Sequence, residues 1–188
     1  MSDEFLGDRK KALEESFFAK ENARLVEQMR AEKAKKAEKE ALSEASGIRD
    51  GALLERLVEL ELGPDTWTAI SLIPLVEVAW ADRVLDDRER RAILEAAASV
   101  NVTPGRPSYE LLKSWLSAKP DGRLLEAWGE YIVGIAANLD PPGRRVLHDE
   151  IMGGARRVAA AAGGVLGWKN VNAEEQAVLD ELERAFDL

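Results

Sequence analysis

The stretch Ala79-Trp80-Ala81-Asp82-Arg83-Val84-Leu85-Asp86-Asp87-Arg88-Glu89 decides how this chain folds. The apolar pattern before it predicts a helix that ends at Ala81 and gives way to a short turn. Asp86 then stands where a helix N-cap belongs, and Glu89 follows three residues later, which is the spacing of a capping box. The sequence therefore predicts a helix, an acidic elbow over residues 82–89, and a second helix.

The elbow carries four carboxylates: Asp82, Asp86, Asp87 and Glu89. One interpretation is a divalent cation site for calcium or magnesium, because these hard cations take oxygen ligands. The other is helix capping, which explains two of the four acids through bonds to free backbone N–H groups and through the helix dipole. The loop pattern of an EF-hand is absent, so both interpretations stay open on the sequence alone.

Composition limits the function classes. The 188-residue chain has 26 Lys and Arg against 35 Asp and Glu, a formal charge of −9, and no cysteine. Disulfides and thiolate metal sites are therefore excluded, and the negative charge opposes binding to nucleic acid. The N-terminus lacks the layout of a signal peptide, and no apolar run approaches the ~20 residues of a membrane span. We expect a cytoplasmic protein that binds no nucleic acid.

Helix-forming residues dominate and strand patterns are nearly absent, which predicts an all-α fold. The length suits one compact multi-helix domain plus an arm. We predict a long charged helical arm over residues 1–46, a linker helix over 47–64, and the compact domain over 65–188. Pro74 lies inside the helix that runs to Ala81, so we expect a kink or break there, because the ring removes one backbone hydrogen bond.

The arm has no glycine or proline between residues 8 and 45, which predicts one long helix. Residues 30–40 in its second half are all alanine or charged residues, so a solvated extension is one interpretation. A coiled coil or a partner-binding surface is the other, because an isolated helix would expose the large apolar residues of the first half. These candidate partner-binding residues are Leu6, Leu13, Phe17, Phe18 and Leu25.

The elbow has an echo near the C-terminus. Asn172 and Glu175 repeat the cap and its glutamate, and Val171 precedes this cap as Leu85 precedes the first. The repeat favours two helix-elbow-helix halves around a pseudo-twofold axis. Chance is the alternative, since capping boxes are common.

At these residues the chain resembles the tellurite-resistance TerB-like family, over about residues 65–188. Members carry a helix, an elbow of the Ala-Asp-Gly type and an acidic helix start that ends in Glu; here this pattern runs from Ala81-Asp82-Arg83 to Glu89. The resemblance implies a compact all-helical domain linked to stress responses, with an acidic cluster that takes a divalent cation. Asp82 and Glu89 match the two acids of the motif.

Two departures weaken the implied cation site. Arg83 stands where the family usually has glycine, which places a positive charge beside the acids. Trp168 occupies the position in the second half that Asp82 occupies in the first. The resemblance therefore supports the fold more strongly than it supports the metal.

Little in the sequence favours catalysis. The single histidine, His148, adjoins Asp149, but adjacent helical residues point about 100° apart, and we interpret it as a surface residue. There is no cysteine nucleophile and no glycine-rich phosphate loop. The five tryptophans are typical of core and helix–helix contacts rather than of a ligand pocket. We therefore predict a non-enzymatic, TerB-like binding or adaptor module whose arm mediates self-association or binds a protein partner.

An alternative function comes from the arm. Residues 8–17 resemble the start of the small ATP-synthase inhibitor proteins of some bacteria, which implies a helix that inserts into a rotary motor. On this hypothesis the chain is a regulator or inhibitor of an ATPase that acts through its N-terminal helix.

Overall fold

The computed structural model describes residues 2–162 and 171–186, with side chains over 17–161 and 171–186. Trp168 and the side chains of Leu6 and Leu13 lie outside the described residues. The described chain is helical throughout and contains no strand, as predicted. Its elements are α1 (Ser2–Ser46), α2 (Gly51–Glu59), a 3₁₀ helix (Trp67–Leu72), α3 (Ile73–Ala79), α4 (Asp87–Ser99), α5 (Pro107–Ser117), α6 (Arg123–Ala136), α7 (Pro141–Ala162) and α8 (Ala173–Arg184).

Pro74 divides the apolar segment before the elbow, as the sequence predicts. The chain runs as a 3₁₀ helix to Leu72, and α3 begins at Ile73 with the proline in its first turn. A first-turn position suits proline because the missing N–H has no partner within the helix there. The break leaves α3 only 7 residues long, and all of them are buried.

Two helix ends use non-glycine residues in the left-handed region. Asn101 has φ +63° after α4, and the backbone N–H of Val102 donates to the Ala97 carbonyl at 2.9 Å. Glu61 has φ +66° after α2, and the N–H of Leu62 donates to the Leu57 carbonyl at the same distance. Each left-handed residue turns the next apolar side chain into the core, which is the geometry of a Schellman C-cap.

Only the last part of α1 belongs to the core. Leu42 is fully buried, and the ammonium of Lys35 lies 2.9 Å from a carboxylate oxygen of Glu55 and 2.8 Å from one of Glu59, both on α2. Lys39 reaches Glu55 at 3.2 Å. The base of the arm is therefore fixed to the body by one buried leucine and a cluster of exposed ion pairs.

The four helices around the two elbows pack in a symmetric pattern. Helices α3 and α7 contact each other, α3 contacts α4 and α8, and α7 contacts α8 and α4. Exchanging α3 with α7 and α4 with α8 leaves this set of contacts unchanged. This is the contact pattern expected of two packed helix pairs, α3 with α4 and α7 with α8, and α2, α5, α6 and the 3₁₀ helix complete the core. The pseudo-twofold axis stays a prediction, because residues 163–170 between α7 and α8 lie outside the described part of the chain.

Among the described tryptophans, Trp115 and Trp128 are buried, and Trp67 and Trp80 pack against the core. The indole N–H of Trp80 donates to the Trp115 carbonyl at 2.8 Å, which joins the end of α3 to α5. These four side chains are core contacts, as expected. Over the part of the chain that the structure describes, no helix has both the length and the apolar character that a membrane span requires.

Candidate functional site

The first elbow forms a complete capping box. Asp86 has extended backbone angles, and its Oδ1 accepts hydrogen bonds from the backbone N–H groups of Arg88 at 2.7 Å and Glu89 at 2.8 Å. Glu89 Oε2 accepts in turn from the N–H of Asp86 at 2.9 Å. The predicted capping role of both acids is confirmed, and each of them has a structural partner.

The turn that leads into this box contains the third left-handed residue outside glycine. Arg83 has φ +71°, and the Oδ1 of Asp82 accepts from the N–H of Val84 at 2.9 Å, which closes a local turn. A side chain in this region costs roughly 1–2 kcal/mol relative to the ordinary helical region. Arg83 therefore adopts the conformation that glycine accepts freely, at the position where the resembled family usually carries glycine.

The C-terminal echo also forms a capping box. Asn172 Oδ1 accepts from the N–H of Glu175 at 2.6 Å, and Glu175 Oε2 accepts from the N–H of Asn172 at 2.8 Å. The two boxes have the same geometry and begin α4 and α8 respectively. The preceding residues 163–170, including Trp168, lie outside the part that the structure describes.

Four acids from the two capping boxes and the turn before the first influence one another through their charges, and we call them the paired elbows: Asp82, Asp86, Glu89 and Glu175. The two N3 glutamates among them are buried. Glu89 is 3% exposed and Glu175 2% exposed. Burial raises the pKa of Glu89 to about 7, the N–H of Asp86 opposes this, and the charges of Asp86, Glu175 and Asp82 add to it. Burial also raises the pKa of Glu175, with Asp82 and Asp86 contributing.

The folded chain therefore brings three of the four predicted cation ligands together with one residue from the other half. Asp87 stays exposed in the first turn of α4, where its carbonyl accepts from Arg91. No group of three or more Asp, Glu or His side chains within the described residues is arranged to hold a metal ion. Cation binding at the elbow thus stays a prediction, and capping accounts for the positions of Asp86 and Glu89.

The arm is the second candidate site. From residue 17 to residue 34 no side chain of α1 is buried, whereas Leu42 further along is fully buried. Large apolar side chains are exposed along this projecting part by 47–69%: Phe17, Phe18, Leu25, Val26 and Met29. At 100° per residue, Phe18, Leu25 and Met29 fall within about 40° of one another around the helix axis. Three of the predicted partner-binding residues are thus exposed, and Met29 extends their surface.

His148 is more than the surface residue that the sequence suggested. Its Nε2 lies 2.6 Å from an Oε of Glu183 on α8, and its Nδ1 lies 3.0 Å from an Oδ of Asp149. Both carboxylates raise its pKa, that of Glu183 more strongly. The sequence could not reveal this because Glu183 lies 35 residues away and only the packing of α8 on α7 brings it to the ring.

The remaining comparison is with known proteins. No family model, no curated protein and no solved structure matches this chain. The geometry of the paired elbows and of the arm therefore carries the functional interpretation.

Proposed function

We propose that this chain is a TerB-like helical binding module that works without catalysis, in the cytoplasm, in a stress-associated role. The observation that carries the binding part is the projecting half of α1. An isolated, stable helix that exposes Phe18, Leu25 and Met29 on one side leaves apolar surface in water, and such surface marks a contact with another protein. The fixed base of the arm holds that surface away from the body.

The TerB-like part of the proposal rests on the elbows. Capping boxes begin both α4 and α8, and the set of contacts among α3, α4, α7 and α8 is unchanged when the two helix pairs are exchanged. The left-handed backbone at Arg83 is favourable for the glycine that the resembled family usually has there. These features support a relation to the TerB-like family that is seen in the local geometry of the elbow and not in the sequence of the whole chain.

The binding part is tested by the mass of the assembly in solution. We propose self-association through α1, so the wild-type chain should sediment above its monomer mass of 20.7 kDa. The double variant Leu25→Glu/Met29→Glu should lower the mass, because it places charge on the apolar side. The control Ala23→Glu/Ala34→Glu adds the same charge to exposed positions about 160° away on the same helix and should leave the mass unchanged.

The result can contradict the proposal in two ways. A wild-type chain that sediments at 20.7 kDa at high concentration would rule out self-association and leave a different protein as the partner. Equal masses for the two double variants would show that the apolar side is not the contact. Capture of an ATPase by the wild-type chain, lost in Leu25→Glu/Met29→Glu, would instead favour the alternative function as an ATPase regulator.

The cation hypothesis needs a separate experiment at the paired elbows. Calcium or magnesium is titrated into chelator-treated protein while the melting temperature and the amide NMR shifts of residues 82–89 are followed. Binding predicts a rise in the melting temperature that is lost in Asp82→Asn, which keeps the hydrogen bond to Val84 and removes the charge. Asp140→Asn, an exposed acid elsewhere, is the matched control. Unchanged melting temperature and shifts in the wild type would end the hypothesis.

A further inference from the structure

The imidazole of His148 on α7 lies between two carboxylates. Nε2 is 2.6 Å from Glu183 on α8, and Nδ1 is 3.0 Å from Asp149, its neighbour on α7. An ionised carboxylate only accepts hydrogen bonds, and a neutral imidazole has a single N–H to donate. Both contacts are therefore satisfied at once only when the ring is the doubly protonated imidazolium.

The same ring takes part in an aromatic contact. The imidazole packs edge to face on the ring of Phe186, just beyond α8, with the ring centroids 5.1 Å apart. Phe186 in turn packs edge to face on Trp128 of α6, at a centroid distance of 6.4 Å. Trp128 is only 1% exposed. The end of α8 thus covers a core tryptophan. His148 contacts this end twice, through its hydrogen bond with Glu183 and through its ring contact with Phe186.

We propose that His148 is a proton-dependent clasp: the protonated ring fastens the C-terminal end of α8 to α7, and loss of the proton at higher pH releases that end. The fastened state pairs the imidazolium with Asp149 and Glu183. In the released state the neutral ring keeps at most one of these bonds, and Phe186 loses part of its support over Trp128.

The charged groups around the ring determine whether the protonated or the neutral imidazole is favoured when α8 is docked. Arg156 of α7 also bonds to Glu183 and stays charged over this range, so it holds α8 independently of pH. Arg184, next to Glu183, bonds to the Asp180 carbonyl instead. Arg144 lies one turn before His148 and its Nε is buried without a hydrogen-bond partner among the described residues, while the hydrogen bonds of the ring go to Asp149 and Glu183. Asp149 and Glu183 are therefore the groups that favour the charged imidazole.

The thermodynamic linkage between protonation of His148 and docking of α8 determines the pH range in which the clasp opens. The two carboxylates raise the pKa of His148 above its ordinary value of 6.5. The clasp is complete below that ordinary value and is lost as the pH rises through the raised value of the docked state. The opening constant of the end of α8 should increase tenfold for each unit by which the docked pKa exceeds the open one.

The experiment uses the full chain, whose single histidine gives one imidazole signal. Its NMR titration is measured together with amide hydrogen exchange of residues 182–185, corrected for the intrinsic pH dependence. The wild type should titrate above 6.5, and Glu183→Gln should lower that pKa. For residues 182–185, the opening constant of the wild type divided by that of His148→Gln should increase as the pH is raised through the imidazole pKa. For the amides of residues 174–176, at the other end of α8, the same ratio should not change with pH.

A matched control removes the other partner of Glu183. Arg156→Gln should increase opening of residues 182–185 at every pH without removing the pH dependence, since arginine does not titrate there. A wild-type imidazole pKa at or below 6.5 would overturn the clasp. So would a ratio between wild type and His148→Gln that is constant with pH, even if the variant is less stable overall.

Discussion

Arg83 shows at the scale of one residue how the elbow departs from its most favourable sequence. Its φ of +71° is imposed by the turn between Trp80 and the capping box, where its N–H donates to the Trp80 carbonyl at 3.0 Å. A Cβ in this conformation is strained, and glycine has none. The residue is therefore held in place by the structure around it.

Arg83→Gly should stabilise the protein by about 0.5–1 kcal/mol, because the relief of strain exceeds the added entropy of the unfolded chain. Arg83→Ala removes the same charge but keeps the Cβ, so it should give little of this gain. Urea unfolding of the three proteins measures the effect. Equal stabilities for the glycine and alanine variants would show that charge rather than backbone strain matters at the elbow.

Glu89 gives a second prediction at the residue scale. Its folded pKa of about 7 lies above the ordinary 4.5, so its contribution to stability is complete below pH 4.5 and is lost as the pH rises through 7. Glu89→Gln should keep the capping box, because glutamine also serves at N3, and should remove the buried charge. In chelator-containing buffer we expect the stability of the variant relative to wild type to increase by about 2–3 kcal/mol between pH 5 and pH 8.

The control for Glu89 is Glu95→Gln, which removes the same charge from the exposed side of the same helix. Denaturant unfolding at the two pH values measures both variants. A stability difference between Glu89→Gln and wild type that does not change with pH would contradict the raised pKa.

At the scale of the element, α1 combines two environments in one continuous helix. Leu42 is fully buried against the body, whereas Met29, thirteen residues earlier, is 69% exposed. Helix propensity alone cannot distinguish these two parts, since both are rich in alanine and charged residues. Contacts with α2 and the 3₁₀ helix make the difference.

The two parts should respond differently to the loss of an apolar side chain. Leu42→Ala should cost about 2–5 kcal/mol, because it removes transfer energy and leaves a cavity. Met29→Ala should change stability by less than about 0.5 kcal/mol at concentrations where the chain is monomeric. Thermal or urea unfolding compares the two, and similar losses would mean that the projecting part contacts the body.

At the scale of the whole molecule, the body should fold without the projecting part of the arm. Since no side chain between residues 17 and 34 is buried, removal of residues 1–30 should leave the cooperative unfolding transition and its midpoint nearly unchanged. The truncated chain keeps Lys35, Lys39 and Leu42, and thus the whole attachment of α1. A broad transition or a large loss of stability would show that the arm is part of the core.

Local rules predicted much of this molecule. The all-helical fold, the long first helix, the break at Pro74 and both capping boxes follow from spacings of a few residues, because proline geometry and N-cap bonds act within one turn. The same local rules could not show that the charge of Glu175 acts on Glu89, since these residues are far apart in sequence and only the tertiary packing brings their charges near each other.

The sequence by itself thus determined the helical class, the break at Pro74 and the two helix starts at the capping boxes, because backbone hydrogen bonding and side-chain capping are short-range. Only the tertiary structure decided which distant charges act on one another: the acids of the paired elbows, and His148 with Glu183 across α7 and α8. Burial and long-range proximity set these energies, and neither is encoded in local spacing. The sequence alone therefore predicts that the elbow caps α4, and the tertiary packing adds that its acids belong to a cluster with Glu175.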